Sequence, residues 1–133
     1  MPSIFPQLFT YELLGLFFLR LVLGLIFFGH GYSKILKTRT ATADFFQSIG
    51  LKPGKLWAII VGILEILSGI LMLAGLLTQG ASIIIIAIML GSILKIERKR
   101  GFLGGYELNL LIIAAAVIIL LSGAGSFAID IPL

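Results

Sequence analysis

The sequence predicts an all-α integral membrane protein, a four-helix bundle with a short interfacial helix between the first and second spans. Three observations carry that prediction. Of 133 residues, 59% are hydrophobic and only 12% are charged, where soluble domains carry roughly 45–50% and about 25%; mean hydropathy is +1.18. The apolar residues gather into four stretches, each near the roughly 17–25 residues that cross a bilayer. The basic residues fall in alternate connections between those stretches. At this length there is no room for a second module, so residues 1–133 are expected to form a single membrane domain.

The first span is predicted over about 13–35, and it holds Arg20, His30 and Lys34. Its leading stretch has no basic residue, Arg20 interrupts the apolar run, and no small-x-small site follows, so a cleaved secretion signal is not expected. The second span, about 56–77, contains Glu65 as its one charge. The uncharged Thr78-Gln79-Gly80 reads as a tight turn, which makes the second and third spans antiparallel neighbours. The third span runs over about 81–96, and the fourth, about 106–121, opens with Glu107 and then has Asn109 as its strongly polar side chain.

The connection after the first span has signals of its own. Thr42 is placed to cap a short helix over 43–49, with Gly50 as its stop. Phe45, Phe46 and Ile49 would then share an apolar face at the membrane interface. Pro53 and Gly54 break the chain before Trp57, an interfacial anchor. Small residues four apart, Ala58/Gly62 and Ala87/Gly91, together with Gly24 and Gly69, suit close helix contacts in lipid. Those contacts serve packing within one bundle or a face for a second copy of the chain.

Orientation follows from charge. Lys37, Arg39, Lys52 and Lys55 lie in the connection 36–55, and Lys95, Arg98, Lys99 and Arg100 in the connection 95–105. Neither tail carries a basic residue. Because cytoplasmic loops are enriched in Lys and Arg, both basic loops are expected inside and both termini outside. The net charge of +4 is thus assigned to membrane orientation and not to nucleic acid.

Composition also removes several chemistries. The absence of cysteine excludes a CxxC redox centre, a thiolate zinc site, a cluster on the chain's own thiolates and any disulfide. A single histidine excludes bis-histidine haem and His₂ or His₃ sites within the chain, so no metal and no intrinsic cofactor are expected. Ser33 lies three residues after His30 with no acidic orienter in view, which is too little for a hydrolytic triad. The glycine-rich 101–105 stretch has no preceding strand and reads as a hinge.

The ionisable residues inside the spans carry the remaining information, since such groups usually face the protein interior with a partner. Arg20 lies about 21 Å along the axis from Lys34, and Glu65 about 12 Å beyond Trp57 on the returning helix. That arithmetic sets Glu65 between Arg20 and His30, and Glu107 at the depth of Lys34. Glu65 could be reached by either Arg20 or His30; as clamps the pairs would be Arg20–Glu65 and Lys34–Glu107, with Asp130 as a second partner for Arg20 if the tail folds back. The pairs could act as structural clamps, as a pocket for the headgroup of a lipophilic ligand, or as a proton path.

Taken in order, these residues resemble the DoxX family of small four-helix membrane proteins. On the first span the match is Arg20-Leu21 followed by Gly24, then Gly29-His30-Gly31 and Lys34. Phe45-Phe46, Gly50-Leu51-Lys52-Pro53 and Gly62…Glu65…Gly69 follow. Gly75-Leu76-Leu77-Thr78 before Ala81, Gly105-Tyr106-Glu107-Leu108 and Gly123…Asp130 complete it, so that the resemblance covers about 20–130. The family includes a branch associated with thiosulfate:quinone oxidoreductase and others with redox complexes at the membrane.

The resemblance implies a redox-associated subunit that binds a quinone near Arg20, His30, Glu65 and Glu107. The ligand-binding cluster expected here is Arg20, His30, Lys34, Glu65 and Glu107, with Phe27 and Phe28 around the ring. Its partners would be membrane lipids, quinone and other membrane or redox subunits. Whether the chain is itself an enzyme stays open, because electrons would have to pass through a quinone, a bound cofactor or a partner. The alternatives are a non-enzymatic membrane scaffold or assembly factor and a small oligomeric transporter.

Overall fold

The computed structural model describes residues 2–130. Five α-helices follow one another: α1 Glu12–Tyr32, α2 Arg39–Ser48, α3 Gly54–Ala74, α4 Thr78–Lys95 and α5 Glu107–Ser122. A π turn, Ser33–Lys37, extends α1. The four longer helices, with their helical extensions, are long and apolar enough to cross a membrane. Helix α2 is the short element of the first connection. Both connections rich in Lys and Arg lie at one end of the bundle, the basic end. The Gly75–Leu77 turn and the tail after α5 lie at the other, the tail end.

Helix limits differ from the hydropathy pattern where capping overrides it. Thr78, Gln79 and Gly80, expected as a turn, form the first turn of α4. The turn is instead Gly75-Leu76-Leu77. Gly75 takes φ +67°, and the Leu76 and Gly75 amides donate back to the Leu71 and Met72 carbonyls at 3.0 and 3.2 Å. That pair of bonds is a Schellman stop, which leaves Gly in the left-handed conformation just past the helix. Helix α2 is longer than expected: it begins at Arg39, after Thr38, and not at Ala43 after Thr42. The Thr38 hydroxyl reaches both the Ser33 carbonyl and the Thr42 hydroxyl. Gly50, at φ +91°, ends α2 with the same type of stop.

Helix α1 packs most extensively on α3, and α4 packs on α5. Glycine sets the first contact. A Cβ at Gly69 would lie 2.5 Å from the Phe28 amide nitrogen, and one at Gly31 would lie 2.6 Å from the Gly62 carbonyl. Gly24 meets the Gly69 carbonyl in the same way. The antiparallel register is thereby fixed: Gly24 faces Gly69, and seven residues along each helix Gly31 faces Gly62. In lipid, small residues allow this approach, and dispersion then holds the helices. Ala58 and Gly62 are buried in the bundle, whereas Ala87 and Gly91 of α4 are exposed.

Between the four long helices runs one buried core, with Phe27 of α1, Met72 of α3, Ile85 of α4 and Ile119 of α5 fully enclosed. Outward-facing positions remain apolar, as at Leu121, which is 80% exposed. That inversion of the soluble pattern suits acyl chains as the surrounding solvent.

The α1–α3 contact makes a direct prediction. Gly31→Val and Gly69→Val are expected to force the helices apart and to destabilise the protein by ~1–3 kcal/mol each. Gly15→Ala and Gly80→Ala, where an added Cβ meets nothing within 4 Å, should be neutral or slightly stabilising. Thermal unfolding in detergent followed by circular dichroism separates the two groups.

Candidate functional site

The charged side chains of α1 and α3 are sorted by helix direction. A helical side chain leans toward its own N-terminus. Helix α1 starts at the tail end and α3 at the basic end, so Lys34 leans into the bundle while Glu65 leans toward the basic end. The glycine register sets Lys34 opposite Ile59, six residues, or about 9 Å, from Glu65. Two long side chains leaning toward each other close that gap. Lys34 Nζ donates to Glu65 Oε1 at 2.5 Å. The Glu65 side chain is 2% exposed and that of Lys34 27%. The other carboxylate oxygen, Oε2, is buried without a hydrogen-bond partner among the described residues.

Arg20 leans toward the tail end as Lys34 does, but from a position already beyond Glu65 on that side, so it does not meet Glu65. The register sets it opposite Leu73, where α3 ends. Its Nη1 donates to the Met72 and Leu73 carbonyls at 2.6 and 3.0 Å. Nε reaches the Ala124 carbonyl, and Nη2 those of Ser126 and Phe127, at 3.0–3.1 Å. The guanidinium is fully buried. It satisfies carbonyls that a helix C-terminus leaves open, and its charge suits that end of the helix dipole. It also ties down the tail, where Gly125, at φ +76°, lies against the Leu13 carbonyl with no space for a Cβ.

Asp130 does fold back, but its contacts are with the start of α4. Its carboxylate accepts from the Leu77 and Thr78 amides at 2.7 Å each and from the Thr78 hydroxyl at 2.6 Å. It is therefore a helix cap supplied from the tail. Arg20 acts on it through charge alone. Burial would raise the Asp130 carboxyl. The Thr78 hydroxyl, the Thr78 and Leu77 amides and the Arg20 charge outweigh that effect and hold it below its ordinary 3.8. Glu107 makes no pair with Lys34. It is exposed and accepts from the Gly104 amide at 2.9 Å, bracing the turn before its own helix.

The expected cluster of five therefore divides. Lys34, Glu65 and His30 line one cavity of about 810 Å³ toward the basic end, and Arg20 and Glu107 lie outside it. The ring of aromatic residues also differs from expectation. Phe27 is in the core and Phe28 lies outside the cavity, while Phe45 and Phe46 of α2 and Trp57 of α3 line it. Helix α2 thus covers the cavity on one side instead of resting on the membrane interface alone. Met89, Ser92 and Lys95 of α4 and Asn109 and Ile112 of α5 are among the residues that line the rest. Asn109, 8% exposed, is the polar residue that sequence reasoning left without a role. Its signal was there, as the strongly polar side chain inside an otherwise apolar span.

The DoxX family profile matches residues 15–98, a stretch that includes Arg20, Lys34 and Glu65. A Bacillus subtilis protein named "Putative oxidoreductase CatD" is 31% identical over 117 residues, covering 88% of this chain and 85% of its own length. An uncharacterized membrane protein of Mycobacterium tuberculosis is 30% identical over 125 residues, covering 84% of this chain and 77% of that protein. No solved structure matches the chain.

Two outcomes test the tail-end network. Arg20→Met strands five carbonyls and is expected to cost ~3 kcal/mol or more, read as a lowered unfolding midpoint in detergent; Arg20→Lys should recover only part of it. The second outcome concerns pH. A carboxyl whose folded pKa lies below its unfolded value stabilises the fold above the ordinary 3.8, and that contribution fades as pH falls through and below it. Asp130→Asn should therefore flatten the acid limb of stability against pH. An unchanged acid limb would contradict the cap.

Proposed function

The chain belongs to the DoxX family, and from that premise we propose that it is a redox-associated membrane subunit binding a quinone-like lipophilic ring in the cavity at the Lys34–Glu65 pair. One observation carries the reading: a cavity of about 810 Å³, mostly apolar, with a half-buried ion pair and a buried amide in its wall. Ligand sites are commonly about 300–1,000 Å³, apolar, with a few fixed polar groups that orient the ligand. Phe45, Phe46 and Trp57 supply the aromatic wall. The ammonium of Lys34 and the amide of Asn109 can donate to a ring carbonyl.

The name of the Bacillus subtilis relative supports a redox setting. With no cysteine in the chain, the ring or a partner subunit carries the electrons, and this protein's own residues bind and orient the ring. The gathering of Lys and Arg at one end of the bundle supports placing that end in the cytoplasm and both termini outside. A scaffold role is the second reading. The exposed Ala87 and Gly91, which also line the cavity, have nothing within 4 Å of a Cβ at Gly91 and would let another membrane helix approach closely there in place of a ligand.

Trp57 is the one tryptophan, which gives a built-in probe. Decylubiquinone titrated into the protein in detergent is expected to quench its fluorescence saturably. Asn109→Leu should weaken binding by about threefold to tenfold, the range for loss of one hydrogen bond, without altering the helical spectrum. Linear quenching, indifferent to that substitution, would overturn the reading.

A further inference from the structure

The two oxygens of Glu65 are not equivalent. Oε1 holds the Lys34 ammonium at 2.5 Å, while Oε2 is buried with no partner among the described residues. Glu65 is 1% exposed and lines the cavity. As the partner of an ammonium, the carboxylate accepts at both oxygens and donates at neither. An unsatisfied buried acceptor on a charged group is costly, more so than one on a neutral group. A ligand in the cavity therefore relieves that cost only if it brings a donor and a small turn of the carboxylate presents Oε2 to it.

From this we infer that the cavity selects a lipophilic aromatic ring that carries a hydroxyl, with Glu65 Oε2 as acceptor of the ring O–H. The inference rests on the ring-binding reading above and adds which form of the ring is held: the hydroquinone in preference to the quinone. A quinone offers two carbonyl oxygens, both acceptors, and sets one of them against a carboxylate oxygen. The reduced ring sets a donor there instead. A cationic headgroup could also donate, but the Lys34 ammonium is already bound to the same carboxylate, and a second cation beside it would be repelled. A neutral hydroxyl meets no such repulsion. Phe45, Phe46 and Trp57 provide the apolar wall that a ring, as opposed to water, would occupy.

The test compares three ligands of one shape: decylubiquinone, its hydroquinone kept reduced under anaerobic conditions, and the dimethyl ether of that hydroquinone. Each is titrated calorimetrically into the full-length protein in detergent. The hydroquinone is expected to bind at least about tenfold more tightly than either of the others, the range for a hydrogen bond to a charged group. Glu65→Gln alone would strand the Lys34 ammonium, so the variant of choice is the double replacement Lys34→Gln/Glu65→Gln, which is neutral and nearly isosteric. There the preference should collapse to about twofold or less. Equal affinity for the three ligands in the unaltered protein overturns the inference and leaves ring binding intact. Failure of all three to bind removes the ring-binding reading along with it.

Discussion

Hydrocarbon tolerates a charge only where the protein itself supplies the partner. The two deep cations of α1 meet that demand in different ways. Arg20 is matched by backbone carbonyls at the end of α3 and in the tail, and Lys34 is matched by one carboxylate oxygen of Glu65. Both solutions depend on the same prior fact, the close antiparallel contact of α1 and α3. The glycines at 24, 31, 62 and 69 bring the two backbones together and fix which residues face each other. Widen that contact by one methyl group and both charges lose their alignment.

The two solutions also leave the two ends of the bundle in different states. At the tail end the guanidinium satisfies carbonyls and the Asp130 carboxylate caps α4, while the Ser82 hydroxyl one turn further on is buried without a partner among the described residues. That end is structural. At the basic end Glu65 keeps one oxygen without a partner among the described residues, in the wall of a large apolar space that Asn109 also lines. Of the two buried side-chain atoms without a partner among the described residues, Glu65 Oε2 and Ser82 Oγ, only the first belongs to a charged group and to a residue that lines the cavity. The proposed binding chemistry therefore belongs to the cavity and not to the more conspicuous arginine.

Much of this was legible in the residues. The four spans, the short helix between the first two, and the small-residue contact at Ala58 and Gly62 follow from hydropathy, turn residues and spacing. Glu65 and Lys34 were also picked out, because a charge in a span is rare. Their pairing was not, since depth arithmetic treats side chains as points on an axis. Side chains lean toward their helix N-termini, which turns Lys34 and Glu65 toward each other and Arg20 away. The turn at Gly75 was misplaced for a related reason: the residue that caps α4, Asp130, lies 52 positions along the chain from Thr78. Asn109 and Trp57 joined the site only through tertiary packing. No local pattern brings them beside Glu65.

Isotope-edited infrared spectroscopy of the protein in detergent tests the central claim most directly. The difference spectrum between the unaltered protein and Glu65→Gln should show loss of the paired stretching bands of an ionised carboxylate, as a buried ion pair with Lys34 requires. Loss of the carbonyl band of a protonated acid instead would mean that Glu65 is neutral, that Oε2 is no obligatory acceptor, and that the account of the cavity is wrong.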